Sequence, residues 1–334
     1  MLLRLFESPY KKSCRLAAAA GWPVMEKSGH ALAAETATSL AADILARDGI
    51  SGFLAYYDRV ARARATVGDY ERCYALAEPV ATLAYDDPDI TPGRAQLKLR
   101  LYEHAYHETG RSPGAAALYA RALLELASLQ CGPQWSALIS QEAAEKRSQS
   151  AELARDVLRS SAPQAAGCLL WHRIRFQMGL LDATTPEDLN LRFRAVLDCD
   201  QGEPGIFTER AIQLLPRWYG SFEELEAFAV QAGNLAAPEI AGTIYARIYA
   251  AIGAFENLRD TNADWHRLKI SLEAWYQATR SQRLLNVYAA CADVFADETA
   301  LGHVLETRMA AFFPSAWFSA EQAAQALARM PPRR

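Results

Sequence analysis

Two histidines lie three residues apart in a segment with helical periodicity and are the first candidates for chemistry. His104 and His107 share one face of the predicted helix with Glu103, and paired imidazoles of this kind can bind zinc. A structural or catalytic zinc site needs a third protein ligand, and none is spaced to supply it locally. We therefore expect a solvated polar arc here and no metal.

The segment GRSPG matches the G-x-S-x-G pattern of hydrolase nucleophile elbows. That motif requires a strand before the serine, whereas a helical pattern precedes Ser112 and Pro113 follows it. Ser112 is instead expected to be the N-cap of the next helix, with Pro113 in its first turn.

The acidic segment DCDQGE partly matches the pattern of an EF-hand calcium loop. Asp198, Asp200 and Glu209 fall at positions one, three and twelve of an EF-hand. The position that requires a glycine for the sharp turn holds Glu203 instead. The expectation is a solvated acidic loop without calcium.

No other motif indicates catalysis. The sequence contains no G-x-G-x-x-G, no G-K-[ST] phosphate loop and no H-E-x-x-H. His172 and His266 each follow a tryptophan and precede an arginine, and both are expected to be structural. We therefore predict no catalytic residue, no cofactor and no metal, and we expect the chain not to be an enzyme.

Composition narrows the classes of partner and the compartment. The net charge is −4 with a pI near 5.9, which disfavours nucleic acid and anionic membranes as partners. The six cysteines are scattered without a C-x-x-C pair, which fits a reducing cytoplasm. No apolar run approaches the length of a membrane span.

The first 28 residues are expected to form an irregular N-terminal segment. Basic residues precede LAAAAGWPVM, and this order is similar to that of a short signal peptide. Glu7, however, lies within the basic region. Gly21 and Pro23 also interrupt the apolar run. Residues 29–330 are expected to form a single continuous helical-repeat domain.

The chain is rich in strong helix formers and lacks alternating β-branched runs, so we predict an all-α fold without strands. Short breaks separate the helices, which favours antiparallel hairpins of about 35–45 residues stacked as a TPR-like α-solenoid. The predicted helices are 29–47, 51–66, 69–84, 92–109, 113–130, 134–159, 163–178, 185–198, 205–215, 222–233, 236–253, 262–279, 283–295, 297–311 and 318–329.

Two segments support the repeat interpretation. One segment has residues spaced like the second helix of a TPR unit, although Pro79 falls inside it: Gly68, Tyr70, Cys73 and Ala77. The helix predicted over 92–109 is apolar on two sides and is expected to be covered on both. Its two stripes are Leu97, Leu101 and Ala105, and Leu99, Tyr102 and Tyr106.

The junction LLPRWYGSFEEL joins a helix stop to a helix start. Pro216 follows a predicted helix end, and Ser221 with Glu224 forms a capping box. We expect Trp218 to fill the groove between adjacent helical hairpins, with Pro216 and Gly220 shaping the turn that delivers it.

Tryptophans recur at about one repeat length, at Trp171, Trp218, Trp265 and Trp317. A tryptophan in each hairpin would fill the wedge between successive hairpins, because it buries much area. The alternative is an aromatic contact site for a ligand or partner, in which Tyr219 would join Trp218 and Trp265.

Three segments, LLPRWYGSFEELEAFA, DWHRLKISLEAW and YAACADVFADETALGHVLETRMAAFFPSAW, carry a family resemblance. They resemble a bacterial TPR-like family known as a domain of unknown function, number four-zero-three-four. The resemblance covers mainly residues 204–330 and implies a TPR-like helical array in bacteria, without catalytic residues. Tyr219 stands where that family often has a glycine.

These observations favour a cytoplasmic bacterial scaffold that binds another protein or a peptide. The acidic balance favours a basic partner. An immunity or adaptor protein in interbacterial competition and a housekeeping assembly scaffold are both compatible with the sequence. The alternative function is a small-molecule or metal site in a concave groove.

Overall fold

The computed structural model describes residues 8–131, 140–180, 185–218 and 220–329. The helices are α1 (Pro9–Ala19), α2 (Gly29–Arg62), α3 (Cys73–Ala77), α4 (Pro92–Glu108), α5 (Pro113–Cys131), α6 (Gln141–Ser161), α7 (Leu169–Gln177), α8 (Pro186–Cys199), α9 (Pro204–Gln213), α10 (Phe222–Leu235), α11 (Pro238–Ala241), α12 (Ile244–Ile252), α13 (Trp265–Thr279), α14 (Gln282–Val294), α15 (Glu298–His303) and α16 (Ala320–Ala328). The all-α prediction is confirmed across these residues. No helix in the described part of the chain combines the length and apolar character needed to cross a membrane.

The chain divides into two compact units where the sequence analysis expects one continuous domain over 29–330. The central unit is Ala33–Ile206, and the terminal unit joins Met1–Leu32 to Phe207–Arg334. Helices α2 and α9 each cross a boundary between the units. The sequence pattern of successive helices does not mark these boundaries, because helices continue through both of them.

The expectation of an irregular N-terminal segment is wrong for Pro9–Ala19, which form α1. Ser8 caps α1, and Pro9 occupies its first turn, so this helix has local start signals. Helix α1 packs against α16 in the terminal unit. Trp22 is buried, and the backbone of Pro23 accepts a 2.9 Å hydrogen bond from the amide of Phe312. The segment is therefore ordered by contacts with residues far along the chain.

In the central unit, consecutive helices pack in pairs. Helix α4 packs on α5, α5 packs on α6 and α7, and α7 packs on α8. The predicted break between helices 29–47 and 51–66 is confirmed at Gly49, where φ is 67° and ψ is −166°. Such backbone angles are accessible essentially to glycine alone, so α2 changes direction at this residue.

The helix predicted over 69–84 is wrong. A hairpin of β1 (Thr66–Val67) and β2 (Glu71–Arg72) begins this region, and a single helical turn, α3, follows it. Gly68 and Tyr70 have φ values of 57° and 60°, which turn the chain back into the hairpin instead of starting a helix. Pro79 then lies in a 3₁₀ turn because it has no amide hydrogen to continue the α-helix.

In the terminal unit, one buried amide ties α14 to the segment that precedes α16. Asn286 is fully buried, and its Nδ2 donates to the carbonyls of Gln282 at 2.9 Å and Ala311 at 3.0 Å. Its Oδ1 accepts from the amide of Phe313 at 3.0 Å and from Trp317 Nε1 at 3.2 Å. Both donors and both acceptor positions of the amide are used, so its burial is compensated.

Candidate functional site

The turn from 214 to 221 has the cap and the glycine that the sequence predicts. Ser221 Oγ accepts a 3.2 Å hydrogen bond from the amide of Glu224 at the start of α10, and Pro216 lies in the turn after α9. A Cβ atom at Gly220 would come within 2.4 Å of the Leu214 carbonyl oxygen. Glycine is required here because the two backbone segments approach too closely for any side chain.

The expectation that Trp218 fills a groove between hairpins is wrong, because its side chain is 49% exposed. The amide of Trp218 donates to the Leu215 carbonyl at 2.9 Å, which closes a tight turn at the surface. Arg217 holds this turn through Glu256 and the Phe255 carbonyl. Backbone hydrogen bonds and Arg217 fix the turn without burying the indole. The prediction for Tyr219 lies outside the described residues.

Trp265, the other aromatic of the predicted site, is half-buried at the start of α13. Its Nε1 donates to Asp297 Oδ2 at 2.9 Å, and its ring stacks on Phe295 with centroids 5.2 Å apart and planes at 12°. These contacts connect the start of α13 to the residues that precede α15. Trp265 therefore stabilises the terminal unit, and among the described residues its ring contacts are with Tyr288 and Phe295 and not with Trp218.

Two other tryptophans of the recurring series are buried. Trp171 in the central unit donates from Nε1 to Ser161 Oγ at 3.0 Å. Trp317 in the terminal unit donates to Asn286. Each ring fills space within its unit while its polar nitrogen is satisfied, as expected of a buried tryptophan.

The expectation of a solvated acidic loop is wrong for Asp200 and Glu203, which are 2% and 4% exposed. Asp200 forms a bidentate ion pair with Arg72, with 2.8 Å from Nε to Oδ2 and 3.0 Å from Nη2 to Oδ1. The hydroxyl of Tyr74 donates to the same carboxylate at 3.1 Å. The acidic loop is thus docked on the β-hairpin and cannot serve as an open calcium loop.

A second buried ion pair lies in the same unit. Arg173 of α7 contacts Glu78 through Nε–Oε1 at 2.5 Å and Nη2–Oε2 at 3.1 Å. The hydroxyl of Tyr57 on α2 donates to Glu78 Oε1 at 2.7 Å. Burial, reinforced by the nearby Glu78 carboxylate, raises the pKa of the Tyr57 hydroxyl, so this phenol stays a proton donor.

Glu203 completes this buried cluster. Its carboxylate accepts from the Arg72 amide at 3.0 Å and from the Gly205 amide at 2.8 Å. Burial raises the pKa of Glu203 to about 7, against the opposing effect of Arg173 and the two amides. The cluster joins α2, the hairpin, α7 and the loop before α9, and its role is structural because its carboxylates are engaged by cations, hydroxyls and amides of the chain itself.

The histidines predicted to lie in a polar arc are exposed on α4. His104 Nε2 lies 3.1 Å from Glu108 Oε1 at the surface. Among the described residues, no three histidine, cysteine, aspartate or glutamate side chains are grouped so as to hold a metal. Ser112 Oγ lies 3.5 Å from the Ala115 amide, in the capping position predicted for α5.

A groove in the central unit lies between α2 and α4 and encloses a cavity of about 630 Å³. The break in α2 at Gly49 forms part of one wall. Its apolar lining comes from α2, from the segment after α3 and from α4: Ala42, Leu45, Ala46, Ile50, Val80, Tyr85, Leu101, Tyr102 and Ala105. We call this feature the α2–α4 groove.

Helix α4 is covered on only one of its two apolar stripes, contrary to the expectation that both are. Leu99, Tyr102 and Tyr106 are buried, whereas Leu97 and Leu101 are each 62% exposed. Ala105 of the second stripe is buried. The remaining apolar face of α4 thus opens onto the groove and its immediate surroundings.

Sequence reasoning identified the apolar stripe but not its exposure. The signal that was present is the four-residue spacing of Leu97 and Leu101, which places both on one helical face. The lining contributed by α2 was not foreseen, because it depends on the tertiary arrangement that brings α2 and α4 to the same cavity. The chain matches no protein-family model, no curated protein and no solved structure.

Proposed function

We propose that this chain is a non-enzymatic protein-binding helical scaffold whose binding site is the α2–α4 groove. The observation that carries this proposal is the exposed apolar stripe of Leu97 and Leu101 on a well-formed helix. Leaving two leucines of one face in water forgoes the stabilisation that burial brings. Apolar surface of this kind beside a concave groove is typical of interaction sites.

The alternative occupant is a small molecule, and the cavity volume lies in the range of ligand pockets. Leu97 favours a protein segment. It lies one turn before Leu101 on the same face of α4 but does not line the cavity. A small ligand filling the cavity would leave Leu97 in water, whereas a helix lying along the groove covers both leucines, as in helix-in-groove recognition.

A TPR-like architecture belongs to the same proposal. The successive pairing of α4 with α5, α5 with α6 and α7 with α8 supports it, since repeat arrays are built from such neighbouring contacts. The break at Gly49 and the β-hairpin are departures from a regular repeat. Of these two departures, the break at Gly49 lines the α2–α4 groove.

We extend the proposal to a bacterial, cytoplasmic scaffold with an immunity or adaptor role in interbacterial competition, which rests on the sequence resemblance of residues 204–330 alone. The neighbouring genes test this part of the proposal. A toxin gene beside this one supports an immunity role, and a metabolic operon opposes it.

Site-specific photo-crosslinking in native cells tests the groove itself. A photoreactive amino acid is placed at position 101 or 97, and a matched control is placed at Leu191 of α8, which is 66% exposed. We expect protein adducts at positions 97 and 101 and none at position 191. The absence of protein adducts at 97 and 101, together with a small molecule retained in native mass spectrometry, would show that the groove is a ligand pocket.

A further inference from the structure

The apolar lining of the α2–α4 groove is bordered by carboxylates. Asp43 and Asp48 lie on α2, Asp86 lies after the 3₁₀ turn that follows α3, and Glu108 ends α4. Among the residues that line the groove, these four carboxylates stand against a single lysine, Lys98. The border is therefore far more acidic than the chain as a whole, whose net charge is −4.

Neighbouring cations do not cancel this charge. Lys98 pairs with Asp86, and Arg47 pairs with Asp48 at 2.7 Å from Nη2 to Oδ2. With Arg47 counted, four carboxylates face two cations. All four of these paired groups sit at the groove or directly beside it, so the excess negative charge is local.

The excess belongs to the two remaining carboxylates. Asp43 is exposed on α2. Glu108 is exposed on α4, where His104 Nε2 lies 3.1 Å from its Oε1 and adds a positive charge only when the imidazole is protonated. They come from the two helices that contribute most of the lining of the groove. A chain segment lying in the groove would therefore meet acidic side chains of both helices beside its apolar contacts.

From this arrangement we infer that the groove binds a cationic amphipathic helix, whose lysine or arginine side chains flank its apolar anchors. The inference rests on the proposed function, because it specifies the partner of the same groove. The leucines of α4 contact the apolar face of the partner, and Asp43 and Glu108 attract its flanking cations. Long basic side chains suit this geometry because their methylene stems cover apolar surface while their charges reach the border. Complementary charge of this kind speeds association and selects among partners.

Two synthetic peptides test the inference. Each forms about five helical turns with leucines at identical positions, and the other positions carry lysine in one peptide and glutamate in the other. Binding to the full chain is measured by fluorescence anisotropy at low ionic strength. We expect the lysine peptide to bind more tightly than the glutamate peptide by a factor on the order of ten, and we expect added salt to reduce this factor.

Matched variants assign the preference to the groove. Asp43→Asn with Glu108→Gln removes two border charges, and Glu145→Gln with Glu152→Gln removes two exposed charges from α6. We expect the first pair to bring the two dissociation constants closer together and the second pair to leave their ratio unchanged. All four positions are exposed, so neither pair is expected to disturb folding.

The outcomes separate this inference from the proposed function. Equal binding of both peptides that is lost on Leu101→Ser would overturn the charge inference and leave the groove as a helix-binding site. Binding of the lysine peptide that survives Leu101→Ser would overturn both, since it would be electrostatic adhesion only. Failure of both peptides to bind would overturn the inference, and the crosslinking experiment would still decide the proposed function.

Discussion

Replacing Glu203 by glutamine is expected to flatten the dependence of the free energy of unfolding on pH. Glu203 is 4% exposed, and burial raises its pKa to about 7 from an ordinary value of 4.5. The folded chain therefore holds this group as a neutral acid over a range in which the unfolded chain would ionise it. Proton binding by the native state must stabilise the fold in that range.

The direction follows from the raised pKa. The stabilisation is fully present below about pH 4.5, where the group is protonated in both the folded and the unfolded chain. It is lost as the pH rises through about 7. Between pH 5 and pH 8 the change amounts to about 2–3 kcal/mol, at roughly 1.4 kcal/mol for each unit of pKa difference. Stability of the central unit should fall over this interval.

Glutamine cannot titrate, but it also changes the hydrogen bonding. The two oxygens of Glu203 accept from the amides of Arg72 and Gly205, and an amide nitrogen in place of one oxygen cannot accept. Glu203→Gln should therefore be less stable than the parent at pH 5 by about 1–3 kcal/mol. The difference in the free energy of unfolding between the parent and the variant should narrow or reverse toward pH 8, because the folded parent must then ionise its buried acid.

The assay is urea unfolding followed by circular dichroism across this pH range, with hydrogen-exchange mass spectrometry of residues 196–206 reporting on the central unit. Glu152→Gln on α6 is the control, because it removes an exposed carboxylate and should shift stability by less than about 0.5 kcal/mol at every pH. Parallel pH profiles for the parent and Glu203→Gln would refute the reasoning, since they would mean that Glu203 is already ionised in the fold at pH 5.

Three further predictions concern single side chains. Arg173→Met should lower the free energy of unfolding by about 3–5 kcal/mol, because it leaves the Glu78 carboxylate buried without its cation. Adding Glu78→Leu should recover much of the lost stability, and the absence of recovery in the double variant would contradict this account. Trp218→Ala should lower the free energy of unfolding by less than about 1 kcal/mol, whereas Trp317→Ala, at a buried position, should lower it by about 3–5 kcal/mol in thermal or urea unfolding. Equal losses for the two variants would contradict the difference in burial. Gly49→Ala should lower the free energy of unfolding by about 1–3 kcal/mol through the backbone angles alone, since the added Cβ would meet nothing within 4 Å. No change in the same measurements would mean that α2 can straighten.

Local signals in the sequence were sufficient for several features of the structure. The caps at Ser112 and Ser221 form as predicted, and the break in α2 falls between the two predicted helices. The glycine at position 220 is also where the turn requires one. These features depend on residues within one or two turns of each other, so their chemistry can be read from short stretches of sequence.

Burial of the acidic loop could not be predicted in the same way. Asp200 and Glu203 lie in a polar stretch, yet their partner Arg72 is more than a hundred residues away in the sequence. The hairpin that carries Arg72 was itself predicted as a helix. A charged side chain is buried only where a distant partner compensates its lost hydration, and no local pattern contains that information.

The sequence by itself determined which faces of each helix are apolar, because that depends only on helical periodicity. The tertiary structure decided which of these faces are covered. On α4 the stripe of Tyr102 is buried, whereas Leu97 and Leu101 of the other stripe are left open, although both stripes look alike in the sequence. Trp218 is exposed and Trp317 is buried for the same reason. Whether an apolar side chain contributes to the core or to a binding surface depends on what packs against it, and distant parts of the chain supply those neighbours.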